Sequence, residues 1–193
     1  MGSISFSHVG FHVRDIACME RFYTGLLGLT VTDRGPLDTP LGRLPFVFTS
    51  STPNEHHQVV LAGGRPDEVA FNVINQISFR VEDFATLRAL HRRLPEFGVE
   101  SVRPVTHGNA ISLYFPDPEG NRIECFCDTP WYVDQPMVIP WDPALSDEAL
   151  WAWLAETVKL LPGYEPVEAW RERIAKRMQA HADEVAPESS PGR

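Results

Sequence analysis

A nine-residue pattern occurs twice in this 193-residue chain, as Ser7-His8-Val9-Gly10-Phe11-His12-Val13-Arg14-Asp15 and again as Asn75-Gln76-Ile77-Ser78-Phe79-Arg80-Val81-Glu82-Asp83, an offset of 76 − 8 = 68. Polar and apolar residues alternate in step, as side chains do on the two faces of a β-strand. Each copy ends on an acid and runs into an apolar stripe at helical spacing: Ile16, Met19, Phe22, Tyr23, Leu26 and Leu27 in the first, Phe84, Leu87, Leu90 and Leu94 in the second. Gly28 and Gly98 then stand where a helix end favours a residue at ease with positive φ. The spacing predicts helices over ~15–27 and ~83–97. A repeat this long is one supersecondary unit used twice, not a solenoid.

Each copy reads as βαβββ. Alternating runs predict strands at ~4–13, ~29–34, 44–50 and 56–62, with a turn-rich segment over 35–42, and again at ~75–82, ~99–106, ~110–115 and ~121–127. The last two flank Pro116-Asp117-Pro118-Glu119-Gly120-Asn121, a hairpin signal. Period two puts Ser112 and Tyr114 on one face of the first of these strands, and Arg122, Glu124 and Phe126 on one face of the second. Glu124 is therefore a carboxylate inside a strand, a costly place unless something positive meets it. Nearly the same offset counted back from it, 124 − 67 = 57, reaches His57.

One copy has a half-apolar sheet and a single covering helix, so it cannot close a core alone. Two copies set edge to edge predict an α+β fold in which paired βαβββ modules (~4–64 and ~75–128) form a curved eight-stranded open barrel around a metal cleft. The faces carrying His8, Gly10 and His12, and Gln76, Ser78 and Arg80, would line its concave side. The domain expected is residues 1–130; a proline-rich connector and two helices follow over 131–185, then a disordered tail over 186–193. Ser146 with Asp147 and Glu148 marks a helix start, with Leu150, Trp153, Leu154, Thr157, Val158 and Leu161 as its stripe. Val167, Trp170, Ile174 and Met178 mark a second helix.

A formal net charge of −9 excludes a nucleic-acid partner and disfavours anionic membranes. No apolar run approaches ~18 residues and no signal sequence is read, so a cytoplasmic protein is expected. Cys18, Cys125 and Cys127 cannot pair completely, and the last two fall on the helix-facing side of their strand, which reads as buried thiols.

Four stretches in combination, H-V-G-F-x-V-x-D from His8, F-Y-x-x-L-L-G-L-x-V from Phe22, the His56-His57 pair before an apolar strand, and F-x-D-P-E-G-N-R-I-E ending at Glu124, resemble the vicinal oxygen chelate superfamily, most nearly its type I extradiol ring-cleaving dioxygenases. The resemblance covers ~4–128. It implies metal ligands at His8, Gln76 and Glu124, a catalytic His57, and assisting His107 and Tyr114, the last ten residues before the acid (124 − 114 = 10). Five of these six positions hold the residue the resemblance calls for. Gln76 stands where those enzymes have His, although glyoxalase I-like members use Gln as a ligand. An inward turn of His57 or His56 is the other way to supply a second imidazole.

Two His and one carboxylate with open positions is the facial triad of non-haem iron oxygenases. The resemblance thus implies a divalent metal, Fe(II) first and Mn(II) or Zn(II) as alternatives, and a metal-dependent oxidoreductase acting on a catechol-like aromatic diol with O2. The alternatives are a glyoxalase-type isomerase, lyase or epimerase, and a non-enzymatic small-molecule-binding resistance protein. A single paired module is expected to form a homodimer. The C-terminal helices read as cover for the barrel or a partner subunit, with Trp131, Tyr132 and Trp141 as a possible roof to the cleft.

Overall fold

The computed structural model describes residues 5–185; the expected tail at 186–193 lies outside them. The first module runs β1 (Val9–Val13), α1 (Ile16–Arg21) continuing as a π-helical turn Phe22–Leu26, β2 (Thr30–Thr39), β3 (Gly42–Ser50) and β4 (Val59–Gly63). The second repeats the order: β5 (Ile77–Arg80), α2 (Phe84–Arg93) ending in a 3-10 turn Leu94–Phe97, β6 (Arg103–Thr106), β7 (Ala110–Pro116) and β8 (Arg122–Asp128). The acid closing each repeat is a helix cap. Asp15 accepts from Cys18 N and Asp83 from Thr86 N. Gly98, at φ 73°, ends the second helical segment in the left-handed region, as its position in the sequence predicts.

The sheets differ from the expected curved eight-stranded barrel. Among the described residues there are eleven strands in sheets of four, five and two, and no sheet closes or curves strongly. The reason lies in the pairing. β1 pairs in parallel with β4 of its own module (Val9↔Val59), and β5 pairs in parallel with β8 of its own (Ile77↔Ile123), giving orders β1-β4-β3-β2 and β5-β8-β7-β6. Each module therefore completes its own ladder and leaves its first strand as an edge.

Side chains, not strand ladders, join the modules. Phe22 packs 6.4 Å from Phe115 and 6.5 Å from Phe97, Tyr23 packs 6.3 Å from Phe79, and Arg93 Nη2 donates to Gly25 O at 2.6 Å. The alternation read from the sequence holds here: Val13 and Ile77 are buried on the helix side, while His8, His12, Ser78 and Arg80 are exposed.

The segment 35–42 is not a separating turn. β2 and β3 continue through it as a hairpin to Thr39↔Gly42, with Pro36 opposite Pro45 and a bulge between Val31 and Asp33. Prolines are tolerated because β2 is an edge strand and this part of β3 extends beyond its pairing with β4, which spans Phe46–Thr49.

By their contacts the described residues divide into two compact units, one of 5–104 and 112–127, the other of 105–111 and 128–185. The second unit contains β9 (Trp131–Tyr132), β10 (Ile139–Pro140), α3 (Asp147–Val158), β11 (Glu165–Pro166) and α4 (Val167–Val185). β10 extends the ladder of β6 (Ile139↔Thr106), and β9 pairs with β11. Ser146 caps α3 through Ala149 N, and Leu150, Leu154 and Val158 are its buried stripe. Trp131 packs 6.1 Å from Trp151, Tyr132 stacks on Trp170 at 5.2 Å, and buried Trp141 donates Nε1 to Val105 O, so each ring has a partner within this unit. No helix among the described residues is long and apolar enough to cross a membrane.

Candidate active site

Glu124 is only 7% exposed, in the middle of β8, and its carboxylate is met by neutral donors. Oε2 accepts from Gln76 Nε2 at 2.8 Å and Ser78 Oγ at 2.6 Å; Oε1 accepts from Ser112 Oγ at 2.9 Å and Tyr114 Oη at 2.7 Å. The second module's edge strand and its β7–β8 hairpin thus aim four hydrogen bonds at one buried acid. Such charge-assisted bonds are what make burial tolerable. Burial, and then the bond to Glu124, raises the Tyr114 phenol above its ordinary pKa, so it stays a donor at any physiological pH.

Alternation in the sequence sets Ser78 on the face of Gln76 and Ser112 on the face of Tyr114 but assigns neither a role in the site, which the bonds to Glu124 supply. Hydroxyls and an amide supply four of the contacts that make burial of Glu124 tolerable. Arg80 lies over the Phe126 ring at 5.1 Å, and Arg122 donates to Asn75 at 3.2 Å.

The imidazoles gather in the first module. His8 and His57 have ring centroids 4.2 Å apart, His56 Nδ1 and His57 Nδ1 are 2.8 Å apart, and Phe48 packs on His57 at 5.3 Å and on Phe46 at 6.3 Å. A row of flat rings results. One nitrogen of the His56–His57 contact must donate and the other accept, so the pair shares a single proton there. Burial, then the neighbouring His8 and His56, lowers the His57 pKa, which keeps its ring neutral near pH 7.

The ladders also correct the repeat. The first strands are offset by 77 − 9 = 68, but their partners by 123 − 59 = 64. The register equivalent of Glu124 is therefore Val60 (124 − 64 = 60), and His57 precedes β4 in a loop. His8 and Gln76 likewise precede their strands by one residue. Loop positions, not strand positions, bring His8 and His57 together.

A cleft of about 670 Å³ opens between the two edge strands, with Ser7, Val9 and Gln58 on the first module's side and Gln76, Ser78 and Arg80 on the second's. Two of the four groups that hold Glu124 thus line it. The D-P-E-G-N turn is structural. Asp117 accepts from Tyr23 Oη, Asn121 Nδ2 and the amides of Glu119 and Asn121, while Glu119 Oε1 accepts from the amides of Arg14 and Asp15 at the start of α1. Glu119 Oε2 stands at ion-pair distance from Arg65, 3.5 Å, and Arg14, 3.7 Å. This turn of the second module is therefore a clamp on the first.

His107 belongs to the other unit. Its Nδ1 lies 2.7 Å from Met137 O, which can only accept, so that nitrogen carries the proton; neighbouring Gly108, at φ 75°, leaves no room for a side chain beside Val133.

For a divalent cation, the donor types fit. Imidazole, carboxylate and amide oxygen are ligands of Fe(II), Mn(II) and Zn(II), and hydrogen bonds onto the carboxylate resemble those that orient ligating acids. Among the described residues, however, no three His, Cys, Asp or Glu side chains gather as a metal-holding group. Both oxygens of Glu124 are doubly occupied, so a cation there would take the place of a hydroxyl or amide donor.

Residues 5–125 match the family model of the glyoxalase/bleomycin resistance protein/dioxygenase superfamily. Two curated proteins of Rhodococcus globerulus are similar. Biphenyl-2,3-diol 1,2-dioxygenase 3 is 28% identical over 63% of this chain, which spans 62% of that enzyme's length; biphenyl-2,3-diol 1,2-dioxygenase 2 is 27% identical over 56% of this chain and 72% of that enzyme. The crystal structure of a glyoxylase/bleomycin resistance protein/dioxygenase domain from Frankia sp. EAN1pec matches with a TM-score of 0.54 at 26% identity, over 66% of this chain and all of that one. The family model covers well over half of the chain, which therefore belongs to the glyoxalase/bleomycin resistance protein/dioxygenase superfamily.

Proposed function

We propose that this protein is a metal-dependent oxidoreductase that opens the ring of a catechol-like aromatic diol with O2. The observation that carries the reading is the row of flat rings Phe46, Phe48, His57 and His8, which ends a π surface suited to an arene in proton-transferring groups. The likeness to two biphenyl-2,3-diol dioxygenases of R. globerulus supports it. His8, Gln76 and Glu124 are the proposed ligands, and the chemistry a divalent cation supplies there is Lewis acidity toward vicinal oxygens and a path for electrons from ring to O2.

The chain's own groups do the rest. Neutral His57 takes a proton from a diol hydroxyl and returns it as the product forms. Tyr114, held protonated, turns its hydroxyl between Glu124 and a developing oxyanion. Ser78 and Ser112 keep the carboxylate fixed while that donor moves. His107 enters only through the resemblance.

One observation favours a second reading. Gln76 donates to Glu124 where a ring-cleaving enzyme has an imidazole, which suits a glyoxalase-type isomerase or lyase in which a carboxylate moves the proton. Anaerobic titration of the Fe(II)-loaded protein with catechol, followed by O2, separates the two. A yellow ring-fission product, lost in Glu124→Ala, is expected; an inert catechol panel together with turnover of a hemithioacetal would overturn the proposal in favour of the isomerase.

A further inference from the structure

The connection between the modules, residues 64–76, has a pinned backbone and yet holds apolar side chains in water. Arg14 Nη2 donates to Val69 O at 2.7 Å and to Asp67 O at 3.2 Å, Arg65 Nη2 donates to Asn72 Oδ1 at 2.6 Å, and Asn72 Nδ2 donates to Gly120 O at 3.3 Å. Phe71 is nevertheless 81% exposed and Val73 90%. A segment fixed by four hydrogen bonds that leaves a phenyl ring to water is shaped to cover something other than its own core.

The same connection walls a cavity of about 230 Å³. Phe71, with Phe11 and Ile77 of the two edge strands, supplies its apolar side, while Arg65, His12 and Arg122 supply its ionisable groups. Among the described residues no aspartate or glutamate lines it, in a chain that carries 26 acids against 17 lysines and arginines. Buried Arg65 stands 3.5 Å from Glu119, but Glu119 also serves Arg14, whose other acidic partner, Asp67, lies in water. One buried carboxylate therefore faces two guanidinium groups. Arg122 donates Nη1 to Asn75 Oδ1 at 3.2 Å and meets no carboxylate at ion-pair distance among the described residues. Surplus positive charge thus gathers at one side of an otherwise apolar cavity, which suits an anion with an apolar body, and a guanidinium fork matches a carboxylate.

We propose that this cavity binds a small monocarboxylate with an aromatic or branched apolar body, the acid group on Arg122 and the body between Phe71 and Ile77. At the ~30 Å³ that a water occupies, the volume holds about eight non-hydrogen atoms, which sets the size of the ligand. Ile74 and Ile77 also line the cleft beside Glu124, so the acid lies one wall away from the diol site and does not compete for its polar groups. The inference is independent of the ring-opening reading.

Calorimetric titration of the full chain at low ionic strength with benzoate, benzamide and inorganic phosphate tests it. Benzoate is expected to bind at least ~10-fold more tightly than benzamide, which lacks the charge, and than phosphate, which lacks the apolar body. Arg122→Gln should remove the preference for benzoate over benzamide. Phe71→Asp, at an exposed position that leaves folding undisturbed, should weaken benzoate by ~10-fold or more. Arg80→Gln, in the neighbouring cleft, should leave benzoate within ~2-fold of wild type. Absence of benzoate binding overturns the proposal, as does a preference over benzamide that survives Arg122→Gln, or phosphate bound as tightly as benzoate. A loss in Arg80→Gln as large as that in Arg122→Gln would put the acid in the cleft and overturn it equally.

Discussion

At register-matched places the two modules of one backbone design carry opposite chemistry. The first puts Gly10 beside Val60, with Phe46 and Phe48 across the sheet; the second puts Ser78 beside Glu124, with Ser112 and Tyr114 bonded to the same acid. Both form a four-stranded parallel-edged ladder behind one helix, so the fold does not decide what the open face does. Side chains at a few in-register positions do. A duplicated scaffold that keeps one face apolar and makes the other hydrogen-bonding can hold a ligand with one oily end and one reactive end, and fix which end goes where.

The contrast is broken most severely by Glu124→Leu. It leaves Gln76 Nε2 and three hydroxyls without their common acceptor; an unsatisfied buried donor costs ~1–3 kcal/mol, in full for buried Ser112 and in part for half-buried Tyr114 and Gln76. A loss of about 3 kcal/mol or more in urea unfolding is expected, against less than about 2 kcal/mol for Val60→Ala at the matching place. Equal losses would mean that the carboxylate cluster contributes no more than ordinary packing. Glu119→Ala tests whether the modules stand or fall together. It removes two caps on α1 and the buried ion pair with Arg65, and a loss of about 2–3 kcal/mol in a single cooperative transition is expected. Two separate transitions in the wild type would contradict the clamp.

Tyr114→Phe is milder for stability, about 1–2 kcal/mol for one charge-assisted bond, but should reduce turnover far more than it raises KM. The smallest effect is a difference in thiol reactivity. Cys18 is partly exposed in the first module, whereas Cys125 and Cys127 are buried in the second, and burial raises the Cys125 thiol to about 12. A raised pKa favours the neutral thiol, so at pH 8 Cys125 stays protonated as well as shielded, and its reactivity returns only in alkali. A disulfide reagent at pH 8 should therefore modify one thiol in the native protein and three in urea; rapid native reaction of three would place the second module's strand differently.

Much of this was legible because local rules decided it. Alternation and apolar stripes placed the strands and helices of both copies, and the repeat acids, Ser146 and Gly98 turned out to be caps. Long-range pairing was not legible. The sequence showed an offset of 68 between first strands, but the run from β1 to β4 is four residues longer than that from β5 to β8 (59 − 9 = 50 against 123 − 77 = 46), and this slip made His57 look equivalent to Glu124 when Val60 is. Nor does composition tell a single barrel from two sheets, because β1 and β5 have the same edge-compatible pattern in either arrangement. The segment with Pro36 and Pro40 looked like a turn because proline removes a ladder donor, a loss that an outer hairpin without a further neighbour tolerates. Buried Glu124 correctly announced a special position; its hydroxyl partners were hidden because Ser78, Ser112 and Tyr114 come from two strands, β5 and β7, far apart in the chain.

The central claim is the division of labour between an apolar first module and a hydrogen-bonding second one, and the structure of an anaerobic complex with 3-phenylcatechol tests it most directly. The account predicts diol oxygens within hydrogen-bonding distance of Tyr114 and the phenyl ring packed against Phe46 and Phe48. A ligand lying the other way round, with its phenyl group against Ser78 and Glu124 or its hydroxyls over Val60, would contradict it.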